Sequence, residues 1–269
     1  MIVRRWQSYG LVLGTLLLIA ASSRQTTTPL PIAGTLTVLA AASLTEPFTA
    51  IGKRLEQLHP GLRIHFNFAG SQALRMQLEQ GAPADVFASA NLAQMKLAKR
   101  SGVVHDEAPV FAKNHLTLIV PSKNPGQITG LQALATPGIK LVLAGRHVPA
   151  GHYSRRILRR AATDYGEAFE ARVLQNLVSE EHNVKQVVTK IQLGEADAGM
   201  AYVSDITLQM SNAIRSIPIP DAYNLAADYP IAMVKDTRQP AAAQVFIDFV
   251  RSEQGQAILK SYNFVPVLE

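Results

Sequence analysis

Leu36-Thr37-Val38-Leu39-Ala40-Ala41-Ala42-Ser43-Leu44-Thr45-Glu46 runs from an apolar stretch, Leu36 to Ala42, into a hydroxyl-bearing turn. The apolar part reads as a buried strand. Phe48, Ile51, Leu55 and Leu58 then fall on one face of a helix that ends near Pro60-Gly61. Next comes strict alternation: Ile64, Phe66 and Phe68 are apolar, Arg63, His65 and Asn67 polar, as a strand with two unlike faces requires. A helix over about Ala73–Gln80, a strand over Asp85–Ser89 and a helix over about Leu92–Ser101 follow. This β-α-β-α-β rhythm specifies an α/β fold with parallel connections.

A further strand, His115–Val120, ends at Pro121 and leads into a second run of the same kind. The pattern predicts strand Ile139–Ala144, helix Ser154–Ala162, and helix Asn183–Leu193 with Val184, Val187, Val188 and Ile191 on one face. Strand Ala196–Tyr202 and an edge strand, Ile214–Ile219, complete it; Pro218 and Pro220 suit an edge position. The chain then returns through strand Ile231–Val234 and helices Ala241–Arg251 and Glu253–Lys260. The expected architecture is two α/β lobes, each a mainly parallel sheet flanked by helices, joined by two crossings. Residues 35–118 with 225–269 form lobe 1 and residues 119–224 lobe 2, and the cleft between them is lined by strand ends and helix N-termini.

The N-terminus reads differently. Arg4 and Arg5 precede the apolar run Leu11–Ala21, and small residues Ala20 to Ser23 follow. That order is the order of a secretory signal peptide, assigned to 1–24, with a Thr/Pro-rich leader over 25–34. The apolar run is too short to span a bilayer comfortably. The chain has no cysteine, so no disulfide and no lipidated thiol is available, and a cleaved, periplasmic protein is expected. Its formal charge is +6, and loss of Arg4, Arg5 and Arg24 with the signal peptide leaves about +3, too little to argue for nucleic acid.

The chemistry gathers at strand-to-helix junctions. His147-Val148-Pro149-Ala150-Gly151-His152-Tyr153 sets a Pro-Ala-Gly turn before a helix-forming run. The first N–H groups of a helix have no internal partner and carry partial positive charge, so such a junction suits an anion. Phe68-Ala69-Gly70-Ser71-Gln72 and Asn183-Val184 repeat the arrangement. Ser43 with Glu46 also matches a capping box, in which the hydroxyl serves its own helix; a ligand role requires Glu46 to point away. Tyr202, at the end of a strand of small residues, suits a core position or a ligand contact. Donors without a counter-charge favour a tetrahedral dianion that only accepts hydrogen bonds over one that carries a proton.

Ala-Ala-Ser-Leu-Thr (41–45), Gly-Ala-Pro-Ala-Asp-Val-Phe (81–87), His-Val-Pro-Ala-Gly-His-Tyr (147–153) and Tyr-Val-Ser-Asp (202–205) together resemble the periplasmic molybdate-binding proteins of ABC importers. These belong to the type II periplasmic solute-binding proteins. The resemblance covers nearly all of the chain after the leader. It implies a two-lobed fold that closes on molybdate, with tungstate as a second ligand, no cofactor, and an inner-membrane ABC permease as partner. It also implies a monomer. The oxyanion would be held by Ser43, Ser71, the N–H groups of Ala150 and Val184, and the Tyr202 hydroxyl. Molybdenum would be bound only as the oxyanion, with no direct cation ligand. Many relatives carry a serine cluster where this chain has only Ser71 between Gly70 and Gln72.

The rival readings are an enzyme, a carboxylate binder and a binder of another tetrahedral oxyanion. No Gly-x-Ser-x-Gly elbow or His-Glu-x-x-His motif is present, which argues against a hydrolase and a metal site. A carboxylate binder would present an arginine fork, and none lies in the ligand segments. Sulfate has the charge and shape of molybdate, so another tetrahedral oxyanion remains the alternative. Arg155, Arg156, Arg159 and Arg160 form either a solvated basic face or a device that steers the anion.

Overall fold

The computed structural model describes residues 32–207 and 210–267. The expected signal peptide, 1–24, and the leader as far as residue 31 lie outside them. Strand β1 (Gly34–Ala41) passes through a short 3-10 turn (Ala42–Leu44) into α1 (Thr45–Leu58); β2 (Leu62–Ala69), α2 (Ser71–Glu79), β3 (Val86–Ala88), α3 (Leu92–Arg100) and β4 (Val110–Asn114) follow. The second run comprises β5 (Leu116–Pro121), β6 (Leu141–Ala144), α4 (Pro149–Tyr165), α5 (Phe169–Gln175), β7 (Leu177–Glu181), α6 (Val184–Gln192), β8 (Ala198–Tyr202) and β9 (Ile214–Pro218). The chain returns through β10 (Ala227–Met233), α7 (Pro240–Arg251), α8 (Glu253–Ser261) and β11 (Val265–Pro266).

Two sheets result, with orders β11-β4-β10-β3-β1-β2 and β7-β6-β8-β5-β9. Both are flanked by helices, giving the expected two α/β lobes. The pairing is mixed rather than mainly parallel. In the first sheet β2, β1 and β3 run parallel while β10, β4 and β11 add antiparallel; in the second β7, β6 and β8 are parallel while β5 and β9 are antiparallel. In the first sheet the antiparallel pairs come from the returning β10, which enters between β3 and β4, and from β11; in the second they come from β5, which follows β4 of the other sheet after His115 alone. β9 takes the edge position that its prolines suggested.

Burial explains the alternation. β2 is the outer strand of its sheet, so Leu62 and Ile64 are buried while Arg63 and His65 face water. β1 lies between two strands and is apolar on both faces from Val38 onward. Asp85, read as the start of a strand and not as a ligand, serves structure: its carboxylate accepts the Thr37 N–H at 2.7 Å and the Thr237 hydroxyl at 2.6 Å. That ties the chain's return to the beginning of the sheet.

Candidate functional site

Four helix starts meet at one cavity. The 3-10 turn after β1, α2 and α4 begin without a side-chain cap, behind Ala41, Gly70 and Val148 respectively. Their first N–H groups are therefore free to serve another acceptor. α6 is capped by Asn183, whose side chain takes the Gln186 N–H at 3.1 Å and leaves that of Val184 open. Pro149 occupies the first position of α4, where a missing N–H costs nothing, so the Pro-Ala-Gly segment is the helix's first turn and not a turn before it.

Ser43, Ser71, Ala150, Val184 and Tyr202 all line this cavity. Its volume is about 10 Å³, far below the ~300–1,000 Å³ of sites for drug-sized ligands. Only a small ligand fits. Among the described residues, no arginine or lysine and no carboxylate lines it. The Ser71 hydroxyl accepts the Ala90 N–H at 3.0 Å, which leaves its proton for the cavity. The Tyr202 hydroxyl is fully buried and, among the described residues, makes no hydrogen bond of acceptable geometry. Burial raises the Tyr202 phenol well above its ordinary pKa, so it is a donor at any physiological pH.

The capping box between Ser43 and Glu46 does not form. Ser43 Oγ lies 2.9 Å from the Tyr229 hydroxyl, and Glu46 turns away to Lys185 Nζ at 2.8 and 2.9 Å. Lys185 also meets Asp205 Oδ1 at 3.3 Å, while Asp205 Oδ2 accepts the Tyr202 N–H at 3.1 Å. This triad joins the beginning of α1 in one lobe to α6 and the 3-10 turn after β8 (Val203–Asp205) in the other, next to three of the cavity residues. One cation serves two carboxylates. Burial pushes the Asp205 carboxyl up to about 6 against the pull of Lys185, whose own pKa is lowered by burial but raised further by its two acidic neighbours.

Tyr229, Lys185 and Asp205 escaped the sequence reading. Lys185 follows Val184, and Asp205 ends the Tyr-Val-Ser-Asp motif, so position alone could have flagged them. Tyr229 carried no signal, because its partner Ser43 is 186 residues away. The arginines of α4 are largely engaged. Arg155 pairs with Glu180 and donates to the Ala144 and Gly151 carbonyls, Arg159 meets Glu170 at 3.5 Å, and Arg160 donates to the Asn224 carbonyl at 3.1 Å. Among the described residues no three His, Cys, Asp or Glu side chains gather as a metal ion would require, and no helix is long and apolar enough to cross a membrane.

The profile of the bacterial extracellular solute-binding proteins matches residues 36–265. The molybdate-binding protein ModA of Mycobacterium tuberculosis is 38% identical over 232 residues, which cover 86% of this chain and 85% of that protein. Among solved structures, the periplasmic molybdate-binding protein of Azotobacter vinelandii superposes with a TM-score of 0.74 at 19% identity, over 86% of this chain and 99% of that one. The sulfate-binding protein SubI of Mycobacterium tuberculosis gives 0.78 at 17% identity, over 87% of each chain. At such identities the two structures speak for the fold alone. The family binds solutes and does not turn them over, so a hydrolase reading of Ser43 or Ser71 is set aside. With the profile spanning both lobes, this chain belongs to the bacterial extracellular solute-binding proteins.

Proposed function

We propose that this protein is the periplasmic binding component of an ABC importer, and that it captures molybdate, accepts tungstate in the same way, and delivers either to an inner-membrane permease. The observation that carries the reading is the buried Tyr202 hydroxyl, which among the described residues makes no hydrogen bond of acceptable geometry, on a small cavity whose described lining carries no charge and which several open helix N-termini face. Such a cage replaces the hydration shell of a bare oxyanion by fixed dipoles. Ser43 and Ser71 supply hydroxyl donors, Ala150 and Val184 supply N–H groups, and Tyr202 supplies its phenol. The first two come from the lobe of the β11-β4-β10-β3-β1-β2 sheet and the others from the lobe of the β7-β6-β8-β5-β9 sheet. Full coordination then exists only when the lobes are closed, which gives the permease a shape to recognise. The N-terminal basic, apolar and small segments fit export by a cleaved signal peptide over 1–24, leaving a monomer in the periplasm.

Calorimetric titration of ligand-stripped protein with molybdate, tungstate, sulfate and phosphate tests the assignment. Molybdate and tungstate should bind tightly, sulfate more weakly and phosphate weakest. Sulfate binding as tight as molybdate would assign the site to the smaller oxyanion. Ser43→Ala, Ser71→Ala and Tyr202→Phe should each weaken molybdate binding by about 1–3 kcal/mol. Wild-type affinity in the triple variant would remove these residues from the site.

A further inference from the structure

The two serines of the cavity are held in different ways. Ser71 Oγ accepts from the Ala90 N–H, which can only donate, so the Ser71 proton has nowhere to go but inward. Ser43 Oγ meets the Tyr229 hydroxyl, and that contact can run in either direction. If Tyr229 donates, Ser43 presents a proton to the cavity. If Ser43 donates, it presents a lone pair, which is what a protonated anion needs.

Tyr229 is built to donate. It is fully buried and does not line the cavity itself. Its ring is packed edge-on against Phe111 at 6.3 Å, Tyr202 at 5.7 Å and Phe264 at 5.2 Å between centroids, which holds its hydroxyl oxygen beside Ser43, with Asn114 and Tyr202 as its other polar neighbours. Burial raises its pKa well above the ordinary value, which keeps the proton on. A phenol is also a more acidic donor than an alkyl hydroxyl. Resting on the oxyanion reading above, we infer that Tyr229 is a positioning residue that fixes the polarity of the Ser43 hydroxyl, making the cage donor-only and excluding oxyanions that carry a proton.

The test is a double-mutant cycle with two ligands. Molybdate and inorganic phosphate are titrated at pH 7, where every phosphate carries at least one proton, into wild type, Tyr229→Phe, Ser43→Ala and the double variant. The phenylalanine keeps the ring packing, and thermal midpoints of all four proteins monitor folding. Tyr229→Phe should weaken molybdate roughly tenfold, have no further effect once Ser43 is alanine, and narrow the molybdate-to-phosphate discrimination, because the freed Ser43 lone pair accepts the phosphate proton. An equal loss in both serine backgrounds, no loss at all, or unchanged discrimination overturns the inference. Failure of the wild type to bind molybdate overturns the functional reading instead.

Discussion

Asp205 shows how much a single side chain can reveal about this site. Its carboxyl is fully buried and its pKa is pushed up to about 6 from 3.8 by burial. Between those two values the folded chain holds a proton that the unfolded chain has lost, so the contribution of Asp205 to stability falls as pH rises from about 4 through about 6. Measured as thermal midpoints of the ligand-free protein, the wild type should lose ground to Asp205→Asn over that range, and the difference should be constant from pH 7 to 8. The reverse slope would mean that Lys185 outweighs burial. Ser43, Ser71, Ala150, Val184 and Tyr202 could be singled out in the sequence as lining one cavity because each stands at or beside the end of a strand or the start of a helix, where small residues and hydroxyls are conspicuous. Asp205, Lys185 and Tyr229 were not, since their roles exist only through partners that tertiary folding delivers.

At the level of elements, α4 was the least well placed and is the most instructive. Apolar periodicity located its middle, Ser154 to Ala162, but the helix runs Pro149–Tyr165 and so includes the segment that seemed to precede it. The reason is packing. A Cβ at Gly151 would stand 2.1 Å from both the Ala144 and Gly145 carbonyl oxygens, so glycine lets the first turn of α4 press against the end of β6. Gly151→Ala should therefore lower stability by about 1–3 kcal/mol and weaken molybdate binding, because the helix start carries the Ala150 N–H. Unfolding and titration of the one variant measure both, and an unchanged affinity would detach α4 from the site. β4, β7 and α5 were not foreseen. The exposed polar members of β4 and β7, such as Lys113 and Glu180, dilute a short apolar signal that sheet pairing reinforces only in three dimensions.

For the molecule as a whole, contacts between the lobes decide what closure requires. Glu46 and Lys185 bridge them, Gln72 Nε2 donates to the His182 carbonyl at 3.0 Å, and Gln94 Nε2 to that of His147 at 3.3 Å. Gly70 lies in the same seam, where an added Cβ would sit 2.5 Å from the His182 oxygen. Gly70→Ala should act as a wedge: about tenfold or more weaker molybdate binding, as an overpacked contact predicts, with the ligand-free thermal midpoint unchanged. A lowered midpoint with normal affinity would place the strain inside lobe 1. The α/β class and the order of the crossings were readable from periodicity, whereas antiparallel insertion of β10 between β3 and β4 was not, because direction within a sheet leaves no trace in a strand's own residues. That insertion has a temporal consequence. Tyr229, which braces Ser43, reaches its place only when residues 227–233 slot into a gap flanked by segments made much earlier. The Ser43 side of the cavity is thus the last part to be completed as the chain is made, since its brace comes from a strand synthesised long after the two that flank it.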